Sequence, residues 1–201
     1  MRWSVVCMVM LSVLGLAREC RAARIGVFAD PEGTVAHLQI DPGVITPVHV
    51  VARDLEGGIV AWQLALEGSF LELDAVLRLT TVLGGPAPWA SECFMVGFDS
   101  GCVAATGGCV EDDPFGVMTL GFLAVEPVPD DQLICLTSLG SQPFWSVAYA
   151  TCAEDFVVFE LEPNPCYDVP DGCLVVNPSV PCEIVDVPTS SFGAVKSLFG
   201  S

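Results

Sequence analysis

Four groups of residues in this chain have the types and spacing that chemistry requires. Asp99-Ser100-Gly101 has the form of the loop on which aspartic proteases mount a carboxylate, and that chemistry needs two such loops sharing one proton. The motif occurs once and Cys102 follows it directly, so it reads as a hairpin turn. His37 and His49 are the only imidazoles. Both fall at outward positions of candidate strands, with no Gly-x-Ser-x-Gly elbow elsewhere, so neither a nucleophilic triad nor a metal centre is expected from them. Glu111, Asp112 and Asp113 form a loop cluster of hard oxygen ligands, as do Asp130 and Asp131. EF-hand spacing is missing, and Glu111-Asp112-Asp113 is the candidate calcium site; no other cofactor is expected. Among the aromatics, Trp62 alternates with Leu64 and Leu66 and is expected in the core. Trp89, in Pro86-Ala-Pro-Trp, falls in a loop and is the candidate glycan contact.

The cysteines carry the clearest signal. Eight follow residue 22: Cys93, Cys102, Cys109, Cys135, Cys152, Cys166, Cys173 and Cys182. No Cys-x-x-Cys occurs and both histidines precede all eight, so zinc spacing is absent and a disulfide framework is expected. The connectivity stays open, although Cys166 and Cys173 flank Tyr167–Gly172, a turn-like insert that a local bridge would close. An oxidising compartment fits the N-terminus. Met1-Arg2-Trp3 followed by the apolar run Ser4–Ala17 reads as a secretory signal, with small residues favouring cleavage after Ala17 or Ala22. The expected organisation is a signal peptide over 1–22, one domain over 23–186, and a tail over 187–201. The expected location is secreted, periplasmic or on the cell surface.

Composition narrows the partners. The chain has 201 residues and 25 Asp plus Glu against 7 Lys plus Arg, a net charge of −18. Nucleic acid and anionic membranes need a basic footprint, so neither is an expected partner. Hydrophobic residues make up 52%, too many for a disordered acidic chain. The uncharged run Gln132–Ala153 is broken by Ser138–Pro143, so no membrane span is expected after the signal.

The elements that must position these residues are strands. Short apolar or alternating runs separated by Gly, Pro, Asp or Asn cover Arg24–Ala29, Thr34–Ile40, Thr46–Asp54, Ile59–Glu67, Ala75–Leu83, Phe94–Phe98, Gly116–Val125, Leu133–Leu139, Phe144–Cys152, Phe156–Leu161 and Cys173–Val176. In Thr34–Ile40 the alternation sends Ala36, Leu38 and Ile40 inward. The pattern predicts an all-β protein, an antiparallel β-sandwich or jelly roll with disulfides. A short helix is expected in the tail, where Ser190 or Ser191 caps a turn carrying Phe192, Val195, Leu198 and Phe199. Asn177–Pro188 has the composition of a linker.

Ile45–Asp74 (ITPVHVVARDLEGGIVAWQLALEGSFLELD) and Gly116–Glu126 (GVMTLGFLAVE) resemble strands of cohesin-type sandwich modules. There a Pro-Val strand turns into an Ala-aromatic-x-Leu-x-Leu strand. The cysteines and the strands after Val128 depart from that pattern, and no dockerin-binding residue can be matched. Ser191–Phe199 resembles C-terminal tails of exported bacterial proteins. The resemblance implies a non-catalytic module for protein or surface interaction, with cell-surface glycan as a further partner. Two other readings stand beside it, a structural envelope component without a discrete ligand and a hydrolase using a carboxylate pair.

Overall fold

The computed structural model describes residues 22–93, 100–138 and 146–182. The signal segment, Asp99, Trp145 and the tail lie outside these residues. Thirteen strands, β1 (Arg24–Phe28), β2 (His37–Leu38), β3 (Ile45–Arg53), β4 (Ile59–Glu67), β5 (Val76–Leu83), β6 (Trp89–Cys93), β7 (Ser100–Val110), β8 (Phe115–Ala124), β9 (Gln132–Thr137), β10 (Ala148–Ala150), β11 (Phe156–Val158), β12 (Glu160–Leu161) and β13 (Cys173–Val176), form two sheets. The smaller runs β12-β1-β3-β8-β5. In the larger, β4 is the hub, with β7 and then β6 along one edge and with β10 and β9 sharing the other. β11 follows β10, while β13 and β2 follow β9. Most pairs are antiparallel, as expected, but β1–β12 and β13–β2 are parallel, so each sheet is mixed.

Alternation fixes which side of each strand is buried. Ile25, Val27, Val48, Val50, Leu120 and Phe122 of the smaller sheet share one core with Trp62, Leu64, Leu66, Ile134, Tyr149 and Leu174 of the larger. Phe70, from the short helical turn Ser69–Glu72, meets Phe122 edge-on at 5.2 Å within it. Burying each such side chain is worth about 1.5–3 kcal/mol. Trp62 is 2% exposed, as the sequence predicted. Gly68 ends β4 at φ 131, and a Cβ there would lie 2.3 Å from the Leu133 carbonyl oxygen. Only glycine lets β9 come this close.

Two expectations change, and one strand appears that the apolar pattern did not mark. The run Phe156–Leu161 splits at Phe159 into β11 in the larger sheet and β12 in the smaller, and Phe159 turns inward to stack on Tyr149 at 4.6 Å. The Gly-rich stretch between Cys102 and Cys109 is an 11-residue strand, β7. Its small residues are what the site requires, because Ala104 lies opposite Trp62. Asn177–Cys182 is tied down. Asn177 Oδ1 accepts from Ile40 N, its Nδ2 donates to the Val128 carbonyl, and Asp131 accepts from the backbone and hydroxyl of Ser179.

Candidate interaction surfaces

Disulfides join Cys109 to Cys152, Cys135 to Cys173, and Cys166 to Cys182. The local Cys166–Cys173 bridge does not form. Cys173 sits directly opposite Cys135 in the β9–β13 ladder, their Cα atoms 4.1 Å apart, which leaves Cys166 to reach Cys182. Cys102 is also disulfide-bonded, and the β6–β7 register places Cys93 opposite it.

Glu111, Asp112 and Asp113 fall where expected, on the turn between β7 and β8, and all three are exposed. Asp113 Oδ1 accepts a hydrogen bond from Asp54 N at 3.1 Å. Glu111 and Asp112 line a surface depression of about 490 Å³ with Gly85, Pro86 and Phe115. Among the described residues, the one set of three His, Cys, Asp or Glu with ligating atoms within 4.8 Å is His37, Cys166 and Cys182. The two sulfurs of that set are joined to each other, so it is not a metal centre as it stands. His37 Nδ1 is buried without a partner, and its ring meets Tyr167 edge-on at 6.1 Å. His49 Nδ1 pairs with Thr119 Oγ1 at 2.9 Å on the outer face of the smaller sheet. Burial lowers the His49 pKa against the upward pull of Asp30 and Glu32. Trp89 lies in strand β6 and not in a loop.

The outer faces of the sheets are the larger feature. On the smaller sheet, one half is covered by the chain itself. Phe28, Ala36 and Val51 form a second apolar cluster there, with the Arg53 guanidinium 5.3 Å from the Phe28 ring centroid. Ala36 is thus buried, but outside the main core. The loop before Ala36 is shaped by Asp30, whose carboxylate accepts from Val35 N at 2.6 Å, Thr34 N at 2.9 Å and Thr34 Oγ1 at 2.8 Å. Burial pushes the Asp30 pKa up, but these hydrogen bonds outweigh it and hold the group below its ordinary value.

No described residue covers the other half of that face. Ile45, Leu123 and Leu77 form one row across β3, β8 and β5. Pro47, Gly121 and Thr80 form the next. Val44, Ile45, Leu77, Leu79, Val82 and Val125 are all exposed.

On the larger sheet, the side chains opposite Trp62, Leu64 and Tyr149 point outward. Across the β7–β4–β10–β11 ladder they read Ala105, Ala61, Ala150, Phe156 in one row. The adjacent row reads Val103, Gln63, Ala148, Val158, with Ala148 fully covered. No charge appears in either across these four strands; in the neighbouring β6, Trp89 lies opposite Ala105 and Glu92 opposite Val103. Phe156 and Val158 are 57% and 55% exposed, and Gln63 Nε2 donates to the Ser146 carbonyl. Sequence reasoning missed this face because its alternation is between large and small residues instead of apolar and polar ones.

No protein-family model matches the sequence, and neither does any curated protein sequence. Solved structures do match. The chain is similar to the cohesin module of a family 33 glycoside hydrolase from Clostridium perfringens, with TM-score 0.53 and 8% identity over 78% of this chain and 98% of that one. A type II cohesin domain from the cellulosome of Acetivibrio cellulolyticus matches with TM-score 0.52 and 10% identity, over 78% of this chain and 96% of its own. A type I cohesin of Clostridium thermocellum, solved in complex with a dockerin, matches with TM-score 0.50 and 12% identity over 70% and 94%. At these identities the likeness shows the fold, a cohesin-like β-sandwich, and no more.

Proposed function

We propose that this chain is an exported, non-catalytic module that binds a protein partner through the outer face of its larger sheet. The observation that carries the reading is the pair of uncharged rows across β7, β4, β10 and β11, flanked by exposed Phe156 and Val158. A low floor of alanines with an aromatic at its margin suits close approach of a partner's backbone or helix, and apolar positions at such a centre supply binding energy. The cohesin solved with its dockerin supports the same class of role. The oxidised cysteines support export, because disulfides persist outside the cytosol; no described helix is long and apolar enough to cross a membrane.

The test is capture from the exported fraction of the source cells on immobilised protein, followed by the same capture on Ala61→Arg and Ala105→Arg variants. A specific protein retained by the parent and lost from both variants supports the reading. A retained set that is unchanged by either arginine overturns it, as does a specifically eluted polysaccharide, which would return the glycan reading. A Glu111→Gln/Asp112→Asn variant serves as a control for charge away from the face.

A further inference from the structure

We infer that the half of the smaller sheet's outer face that no described residue covers is a second docking surface, and that it takes a basic amphipathic polypeptide segment, apolar side chains flanked by lysine or arginine. Scattered single hydrophobics need no explanation on a protein surface, but a contiguous group does. Here Ile45, Leu77 and Leu123 are neighbours in one ladder row. The backbone brings Val44 and Val125 to its end, since Gly43 N donates to the Ala124 carbonyl and Val125 N to the Ala75 carbonyl. In the next row Gly121 is buried, with Thr80 Oγ1 and Ile45 Cγ2 occupying the space that a side chain there would take, so the two flanking strands close over it.

The charge around this patch selects the partner. Asp41 lies in the turn leading to Val44, Asp74 directly before Ala75, and Glu126 directly after Val125, and all three are exposed. None forms an ion pair with a described residue: the salt bridges belong to Arg24, with Asp54 and Glu162. Arg53 is spent on the Glu32 and Gly33 carbonyls at the covered end. The Arg78 guanidinium is partly buried, and its outward neighbours in β5 are Leu77 and Leu79. An apolar centre with an acidic rim is complementary to an apolar segment with a basic rim. It is repelled by a second copy of the same acidic surface and by an anionic membrane. β5 is the last strand of its sheet, so the patch is open at that side.

The test uses the full mature protein, isotopically labelled and titrated with a synthetic peptide of alternating lysine and leucine. A lysine and serine peptide of equal charge is the comparison. The lysine–leucine peptide is expected to shift the amides of Val44, Ile45, Leu77, Leu123 and Val125, and to bind at least tenfold more tightly than the serine peptide. Ile45→Ser/Leu77→Ser should weaken binding about tenfold or more, and Asp41→Asn/Asp74→Asn/Glu126→Gln should weaken it and flatten its salt dependence. All of these positions are exposed, so the fold is retained, and Phe156→Ser should leave binding unchanged whatever becomes of the other face. Equal binding of both peptides, shifts centred on Glu111–Asp113 or Asp130–Asp131, or no binding overturns the inference. So does a dimer in sedimentation equilibrium that Ile45→Ser/Leu77→Ser abolishes, because a second copy then covers the patch.

Discussion

The Cys109–Cys152 bridge closes a loop of 43 residues and pins three segments together. Cys109 lies near the end of β7, Cys152 in the turn between β10 and β11, and Cys152 N donates to the Gly57 carbonyl before β4 at 3.1 Å. Gly58, at φ 67, passes beneath the bridge so closely that a Cβ would lie 2.7 Å from Cys152 Sγ. Replacing both cysteines by alanine frees that loop in the unfolded chain. The loop-closure relation for 43 residues gives about 13 cal/mol/K, or about 4 kcal/mol at 25 °C. For the 16-residue separation of Cys166 and Cys182 the same relation gives about 3 kcal/mol. Urea unfolding followed by Trp fluorescence measures both, and the double variant at 109 and 152 should also melt roughly 8–16 °C lower. Its m-value should rise, because an unbridged unfolded chain exposes more surface. If the Cys166→Ala/Cys182→Ala variant lost as much stability or more, loop closure would not be the source of the stabilisation and the arithmetic would fail.

Gly68→Ala should cost about 2–3 kcal/mol in the same assay, since strain at φ 131 adds to the approach of the Leu133 carbonyl; a loss under half that would show β9 moving away freely. Arg24→Ala removes two partly exposed ion pairs and should cost only about 1 kcal/mol in urea unfolding. Acid should weaken the fold in two steps. His49 has a lowered folded pKa, so the unfolded chain takes the proton first and stability falls as pH drops below about 6.5. Asp30 is also lowered, and its contribution, complete above the unfolded carboxyl value, is lost as pH falls through the folded one. His49→Gln should flatten the first step and Asp30→Asn the second, read from melting temperatures between pH 7 and pH 2. Non-reducing peptide mapping should find Cys93 linked to Cys102. If calcium occupies the Glu111–Asp113 turn, chelation will lower the melting temperature; a solvated turn leaves it unchanged, the outcome expected from three exposed carboxylates.

Strands that bury one face against the core were readable. Ile59–Glu67 and Cys173–Val176 have the predicted bounds, and β1, β3, β5 and β8 differ from theirs by a residue at one or both ends. Alternation of large apolar with other side chains marks most of them, while Cys173–Val176, buried on both faces, is a short apolar run bounded by turn residues. β7 was not readable, because Ala, Gly and Ser carry no periodic signal and become a strand only when Trp62 needs a flat neighbour. Thr34–Ile40 contributes only the two-residue β2 to a ladder, since Ala36 is drawn to Phe28 and Val51 instead. The split at Phe159 and the pairing of Cys173 with Cys135 depend on which strands become neighbours across the sandwich, and local sequence carries no record of that. The candidate surfaces were hidden for the same reason: each is assembled from three or four strands far apart in the chain.

Acidity, once mapped, tells against its being a uniform solubility coat. The thirteen strands hold only three carboxylates, Glu67, Glu92 and Glu160, in a chain that has 25. A coat whose only role was solubility would place charged side chains on the outward positions of half-exposed strands as well, as edge strands commonly do. Instead Ala61, Gln63, Val103, Ala105 and Ala150 on one face, and Ile45, Pro47, Leu77, Thr80 and Val82 on the other, stay uncharged. The other carboxylates of the described residues lie in the turns and loops between strands. Leaving apolar surface in water forgoes about 25 cal/mol for each Å² that could be covered. Among the described residues the charge is therefore carried by the loops, and it leaves the row through Ala61 and Ala150 and the row through Ile45 and Leu77, on the two outer faces, without carboxylates.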